Sequence, residues 1–224
     1  MYLHKGIKPF FVISRYNEDF NWIYNYTENF LIYNKGEPIE GDSRILNVSN
    51  IGKNIRDIPE FIYSKYDNLP DLILFIQANP WDHCKKEIFD ELIQRDTFTP
   101  IEYYGAIPAN SWEGRTLDGG FMEINNSWYI SATKPETDTE CKYSSFDEFM
   151  NKYFDNYAAM EFIRFAPGAQ YLITKEEGLQ YPRSFWESLK LEMQGRNSIE
   201  GYIIERALWL IFTHPFNLRK EFFE

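Results

Sequence analysis

The chain has 224 residues, enough for one large α/β unit, with 44% hydrophobic and 25% charged residues, the proportions of an ordinary folded protein. Its net charge of −11 excludes a general nucleic-acid binder, which needs a basic stripe to meet phosphates, and no apolar stretch approaches the ~20 residues of a membrane helix. The start lacks the apolar core of a signal peptide, and Cys84 and Cys141 are too far apart for a metal spacing, so a soluble, cytoplasmic chain with free thiols is expected.

Four short apolar runs mark the first half: FFVIS at 10–14, FLIYN at 30–34, RILNV at 44–48 and LILFIQ at 72–77. Unbroken runs of this length predict strands covered on both faces, as in a parallel sheet. Between the third and fourth lies NIRDIPEFIYSKYDNLP. There Asp57 and Glu60 have capping-box spacing, Pro59 sits in the first turn, and Phe61, Ile62 and Tyr66 form an apolar stripe, which predicts a helix and a right-handed βαβ crossover. A second helix is expected over 84–94. Residues 97–143 are less regular, with SWYISA as a strand and the following PETD as an exposed loop.

Helices resume at SSFDEFMNKYF, where Ser145 and Glu148 again have capping-box spacing. FAPGAQYLIT turns at Pro167-Gly168 into a strand, and YPRSFWESLKLEM and SIEGYIIERALWLIF predict two amphipathic helices with Trp186 and Trp209 inward. The expected architecture is one α/β domain over 1–224, with a mixed, mostly parallel sheet flanked by helices and a helical C-terminal third. Aromatics are abundant, at 19 Phe, 16 Tyr and 6 Trp, enough for a stiff core and for stacking on ligand rings.

Ligands of open α/β sheets bind beyond the carboxyl ends of the strands. Three such ends are polar here: SRYNEDFNW after the first run, NKGE after the second, and QANPWDHC after the fourth. Each is explicable as turn chemistry, with Asp19 capping a helix that begins near Phe20. Together at one sheet edge they predict a polar hollow. Residues 1–60 carry seven Lys or Arg against eight Asp or Glu, and the remainder sixteen against twenty-six, so an anionic ligand finds its least hostile field in the N-terminal part.

The ordered set VISRYNEDFNWI, IYNKG, NVSNIGKNIRDIPEFIYSKYDNLPDLILFIQANPWDH, NNSWYI, FAPGAQYLITKE, YPRSFWESL and ERALWLIF resembles small GT-A-fold glycosyltransferase-like proteins of bacteria and large DNA viruses. The resemblance spans most of the chain. It implies a GT-A-like (Rossmann-like) domain whose residues 1–96 bind a nucleotide sugar, a uridine diphosphate sugar first, and whose residues 97–224 hold a glycan or glycoconjugate acceptor. Ser14, Arg15, Tyr16, Asn17 and Glu18 would then cradle the base and ribose, with Asn34 and Lys35 beside the base. Arg56 and Asp57 would approach ribose or diphosphate, an ion pair with a helix cap being the equal alternative.

Enzymes of this fold carry Asp-x-Asp at the end of the fourth strand to bind a divalent cation. This chain has Gln77-Ala78-Asn79 there, and amides are poor substitutes for carboxylates on a hard cation. Asp82, with His83 or His214, would supply ligands to manganese; the metal-free alternative uses Arg219 and Lys220 against the leaving diphosphate. Transfer needs a carboxylate to take the acceptor's proton. Glu205 leads on the resemblance, with Glu200, Asp118 and Glu123 as rivals. Trp112, Trp128 and Tyr129, flanked by Asn125 and Asn126, are candidate acceptor contacts. The competing reading is a non-catalytic nucleotide- or carbohydrate-binding module. No G-x-S-x-G elbow and no G-x-x-x-x-G-K-[ST] loop occurs, which removes two common routes to hydrolase or phosphotransferase chemistry.

Overall fold

A computed structural model describes residues 8–102, 112–115, 121–123, 129–130, 142–143, 145–196 and 198–222. In chain order the first half forms β1 (Phe10–Arg15), β2 (Phe30–Asn34), β3 (Ile45–Asn47), α1 (Asp57–Lys65), β4 (Leu72–Gln77), α2 (Lys86–Leu92) and β5 (Thr99–Pro100). Then come β6 (Trp112–Arg115), β7 (Phe121–Glu123), β8 (Tyr129–Ile130), α3 (Phe146–Tyr153), β9 (Phe162–Arg164) and β10 (Tyr171–Thr174). The chain continues through α4 (Lys175–Leu179), α5 (Arg183–Glu192) and α6 (Ile199–Thr213). Among the described residues no helix is long and apolar enough to cross a membrane.

The main sheet has the order β3-β2-β1-β4-β10-β5. β1 pairs in parallel with β2 and β4, and β2 with β3, whereas β10 runs antiparallel to both β4 and β5. The sheet is therefore mixed, and the expectation of a mostly parallel one holds only for its first four strands. The reason is where β10 starts. The turn Pro167–Ala169 places Gly168 against Gln77 at the carboxyl end of β4, so a strand leaving that turn along β4 must run backwards. The stretch expected to be irregular also contributes a second, antiparallel sheet of order β8-β7-β6-β9.

Alternation along the strands sorts the core into two layers. Val12, Tyr33, Ile73, Phe75, Tyr171 and Ile173 point to one face and join residues of α1, α3, α5 and α6. Phe11, Ile13, Phe30, Ile32, Leu74 and Ile76 point to the other and meet Ile23, Phe89 and Leu92. The strands are apolar on both sides because both sides are covered. Helix α6 is buried on nearly every face, from Ile199 to Phe212, so its pattern is less amphipathic than that of an ordinary surface helix. Trp186 is fully buried and stacks on Phe212 at 5.8 Å between centroids, while Trp209 is half-buried beside Phe98.

Side chains cap two of the helices, α3 and α4. Ser145 accepts the amide of Glu148 at the start of α3, and Thr174 and Glu177 form a full capping box at α4. At α1 no side chain caps the helix; Asp57 turns inward instead.

The end of α5 is fastened by a buried carboxylate. Glu192 accepts the Tyr143 and Tyr153 hydroxyls, each at 2.6 Å, and the ammonium groups of Lys152 and of Lys142, the latter at 3.2 Å. Burial raises the Glu192 pKa, but the bonds from Lys152, Tyr143 and Tyr153 outweigh it and hold the carboxyl at about 2, below its ordinary 4.5. A depressed carboxylate contributes stability above its unfolded pKa and loses it as pH falls through the folded one. Acidification from about pH 5 to about pH 2 is therefore expected to remove about 2 kcal/mol through this group, discounted because both lysines reach solvent. Urea midpoints of the natural chain and Glu192→Gln, measured along that series, should converge at the acid end.

Candidate functional site

Strand order fixes where a ligand crevice can form. From β1 the chain winds outward through β2 to β3, then crosses through α1 to β4 on the other side of β1. The loops after β1 and β4 thus diverge at a topological switch point, the place where open α/β sheets leave a crevice. A cleft of about 250 Å3 opens at this edge. Ser14, Arg15, Tyr16 and Glu18 line it at and beyond the end of β1, Lys35 just beyond β2, and Gln77, Asn79 and Asp82 at and beyond the end of β4. The loop between β3 and α1 adds Asn50, Lys53 and Asn54.

Register explains the convergence. Ser14 lies opposite Gln77 on β4, and Arg15 opposite Asn34 on β2. The two exits then approach so closely that only glycine fits at position 36: a Cβ there would lie 1.4 Å from the Tyr16 carbonyl oxygen. The β1 exit is held by its own polar atoms. The Glu18 carboxylate accepts the amides of Tyr16 at 2.7 Å and Asn17 at 3.1 Å. Arg15 donates to the Glu18 and Tyr16 carbonyls and to Asn34 Oδ1 at 2.6 Å. Tyr16 stays 46% exposed at the rim, with the Arg196 guanidinium 5.8 Å from its ring centre.

Beneath the cleft sits a buried ion pair. Lys35 Nζ lies 2.7 Å from Asp57 Oδ1, and the Ser14 hydroxyl donates to Asp57 Oδ2 at 2.6 Å. Lys35 also donates to the Lys53 carbonyl. Burial pushes the Asp57 carboxyl up, against the pull of Lys35, Ser14 and Arg56. The Lys53 loop is bent through two left-handed residues, Gly52 at φ 64° and Lys53 at φ 50°. Lys53 Nζ is anchored on the Tyr202 hydroxyl at 2.7 Å.

One wall leads to α6. Asn54 Nδ2 donates to the Gly168 carbonyl at 2.5 Å, and the Gly168 amide donates to Glu205 Oε1 at 2.8 Å. Gly168 and Ala169 are both left-handed, at φ 75° and 50°, a conformation free of cost for the glycine and strained for the alanine, and the two are pinned between cleft and helix. His83 packs on this turn from outside: a Cβ on Gly168 would be 2.8 Å from His83 Cδ2.

Of the expected ligand contacts, Ser14, Arg15, Tyr16, Glu18, Lys35, Gln77, Asn79 and Asp82 share the cleft. Others have different work. Asn17 accepts the Glu37 amide, and Asn34 is buried, stitching Arg15 to Asn47 and Glu37. Arg56 pairs along α1 with Glu60 at 3.6 Å, and Asp57 lies below the floor in a buried pair with Lys35; neither lines the cleft, and the expected cap does not form. Glu205 lies inside α6, not ahead of it, and its carboxylate is engaged by Gly168 and Arg206. Glu200 accepts the Lys142 amide and the Ser198 hydroxyl. Asn125, Asn126, Trp128 and Asp118 lie outside the described residues, as do the side chains of Trp112, Glu123 and Tyr129.

The expected metal ligands do not assemble. His214 ends α6 nine residues after Glu205, about 13 Å further along the helix, and stacks on Phe216. Among the described residues no three His, Cys, Asp or Glu side chains gather to hold an ion. At the end of β4 the one carboxylate lining the cleft is Asp82, already accepting Asn79 Nδ2 at 3.0 Å, so this donor set does not fit a divalent cation on a diphosphate. Arg219 is bonded to Asp155 and the Asn151 carbonyl and, like Lys220, is not part of the cleft.

Asn50, Lys53 and Asn54 do not stand out in the sequence because SNIGKN is ordinary turn chemistry. Its position between a strand and the next helix was the usable signal. Residues 11–221 match the model of a family described as "Protein of unknown function (DUF3431)". No curated protein and no solved structure matches the chain.

Proposed function

The chain belongs to this family, and from the cleft at its β1–β4 boundary we propose that it is a glycosyltransferase, moving a sugar from a nucleotide-sugar donor to a glycan or glycoconjugate acceptor. The observation that carries this is the convergence of three strand exits and the β3–α1 loop on one polar hollow at a switch point. The 3-2-1-4 strand order with an antiparallel neighbour to β4 supports the GT-A-like part of the reading.

In this reading Tyr16 stacks on the base, and the amides of Asn50, Asn54, Gln77 and Asn79 read polar groups on nucleoside and sugar. A uridine diphosphate sugar is the first donor to test. The sugar–diphosphate bond breaks with its electron pair on the diphosphate, and the acceptor oxygen takes the anomeric carbon. Asp82, the exposed carboxylate on the β4 side of the cleft, receives the acceptor's proton. Glu205 acts as a positioning residue, through Gly168, on Asn54.

A nucleoside diphosphate at 100 times its Kd is expected to stabilise the fold by about 2.7 kcal/mol, roughly 5–10 °C in Tm for a chain of this size. No shift with any nucleoside diphosphate would remove the reading. A binding module without turnover is favoured by one observation, the engagement of Glu205 by Gly168 and Arg206. Release of free sugar from the donor alone separates the two, since a pure binder releases none.

A further inference from the structure

We infer that the cleft neutralises a diphosphate with Arg15 and Lys53 instead of a divalent cation, an assignment that rests on the nucleotide-sugar reading and specifies how its charged part is held. The chain is strongly acidic, with 34 Asp and Glu against 23 Lys and Arg. In such a chain most cations should find carboxylates, and around the cleft Lys35 does, on Asp57.

Arg15 and Lys53 do not. Arg15 is oriented by two carbonyls and the Asn34 amide oxygen, with its guanidinium 5.5 Å from the Phe20 ring centre. Lys53 is oriented by the Tyr202 hydroxyl and lies 4.4 Å from that ring's centre. Among the described residues neither forms an ion pair. Both side chains are positioned by neutral acceptors, which fix direction without cancelling charge. The two come from different segments, the last residue of β1 and the loop before α1, and line the same hollow.

The acidic groups of that hollow are arranged the other way. Glu18 is turned onto the Tyr16 and Asn17 amides, and Asp82 onto Asn79. Two carboxylates satisfied by amides and two cations without counter-charge make a site for an anion.

Calorimetric titration of UDP and of inorganic pyrophosphate, each in excess EDTA and in MnCl2, tests this on the natural chain and on Lys53→Gln and Lys53→Arg. The expected result is equal affinity in both buffers, with Lys53→Gln weakening pyrophosphate about tenfold or more and Lys53→Arg retaining most of it. Matched thermal melts show that the variants fold. Binding that requires manganese overturns the inference and leaves the transferase reading standing. So does metal-free binding indifferent to Lys53. If pyrophosphate binds in EDTA through Lys53 while UDP does not bind, the anion site stands and the nucleotide reading loses its support. If neither binds, both fall.

Discussion

Asp57→Ala is expected to destabilise the protein by about 3–5 kcal/mol, because it strands the Lys35 ammonium in a site where both side chains are almost fully buried. The loss has two parts. The ion pair at 2.7 Å disappears, and the Ser14 hydroxyl loses its acceptor at 2.6 Å. Lys35 retains the Lys53 carbonyl, which satisfies one donor and no charge. Asp57→Asn should fall short of rescue for the same reason: it restores an acceptor for Ser14 but no negative charge. The double variant Lys35→Met/Asp57→Leu, which removes both charges and keeps volume, should recover most of the loss, since apolar replacement of a buried pair is often neutral or stabilising. Urea denaturation of the four chains measures this. If Asp57→Ala loses under about 1 kcal/mol, the pair is more hydrated than its burial indicates.

Gly36→Ala is expected to be at least as disruptive, about 3 kcal/mol or more, and for a purely steric reason. The added carbon would sit 1.4 Å from the Tyr16 carbonyl oxygen and 2.2 Å from Asn17 Oδ1. Backbone oxygen cannot swing aside as a side-chain tip can, so the β1 and β2 exits must separate. That breaks the Lys35 amide bond to the Arg15 carbonyl and the Glu37 amide bond to Asn17, both at 2.8–2.9 Å. The cleft is made of these exits, so ligand binding should vanish together with a Tm fall of roughly 6–12 °C. An alanine variant with an unchanged melt would mean that the two exits do not touch.

The strands that build the site were legible because their chemistry is redundant. FLIYN and LILFIQ match β2 and β4 residue for residue, since an unbroken apolar run between polar turns leaves little else possible. The direction of β10 was not legible: YLIT has the same composition read either way, and only the Pro167–Ala169 turn at the carboxyl end of β4 decides it. Side-chain aim was the other blind spot. Asn34, Arg56 and Asp57 have the residue types of ligand contacts and the positions of ligand contacts, yet each is consumed by a neighbour. Lys53 has the reverse history. It hides in a Gly-Lys-Asn turn, and only the left-handed backbone and the Tyr202 anchor give it a direction. Glu205 was visible as an acid before a tryptophan, but not that a glycine amide lies against it.

The pairing of β10 with β4 joins residues 72–75 to residues 171–174, nearly a hundred positions apart. During synthesis the unsatisfied flank of LILFIQ must wait for about half the polypeptide to emerge before its final neighbour arrives. Assembly is thereby tied to late, distant contacts, the kind that slow maturation and leave a sticky ribbon exposed meanwhile. A chaperone's attention, and any tendency of nascent chains to clump, would centre on that stretch.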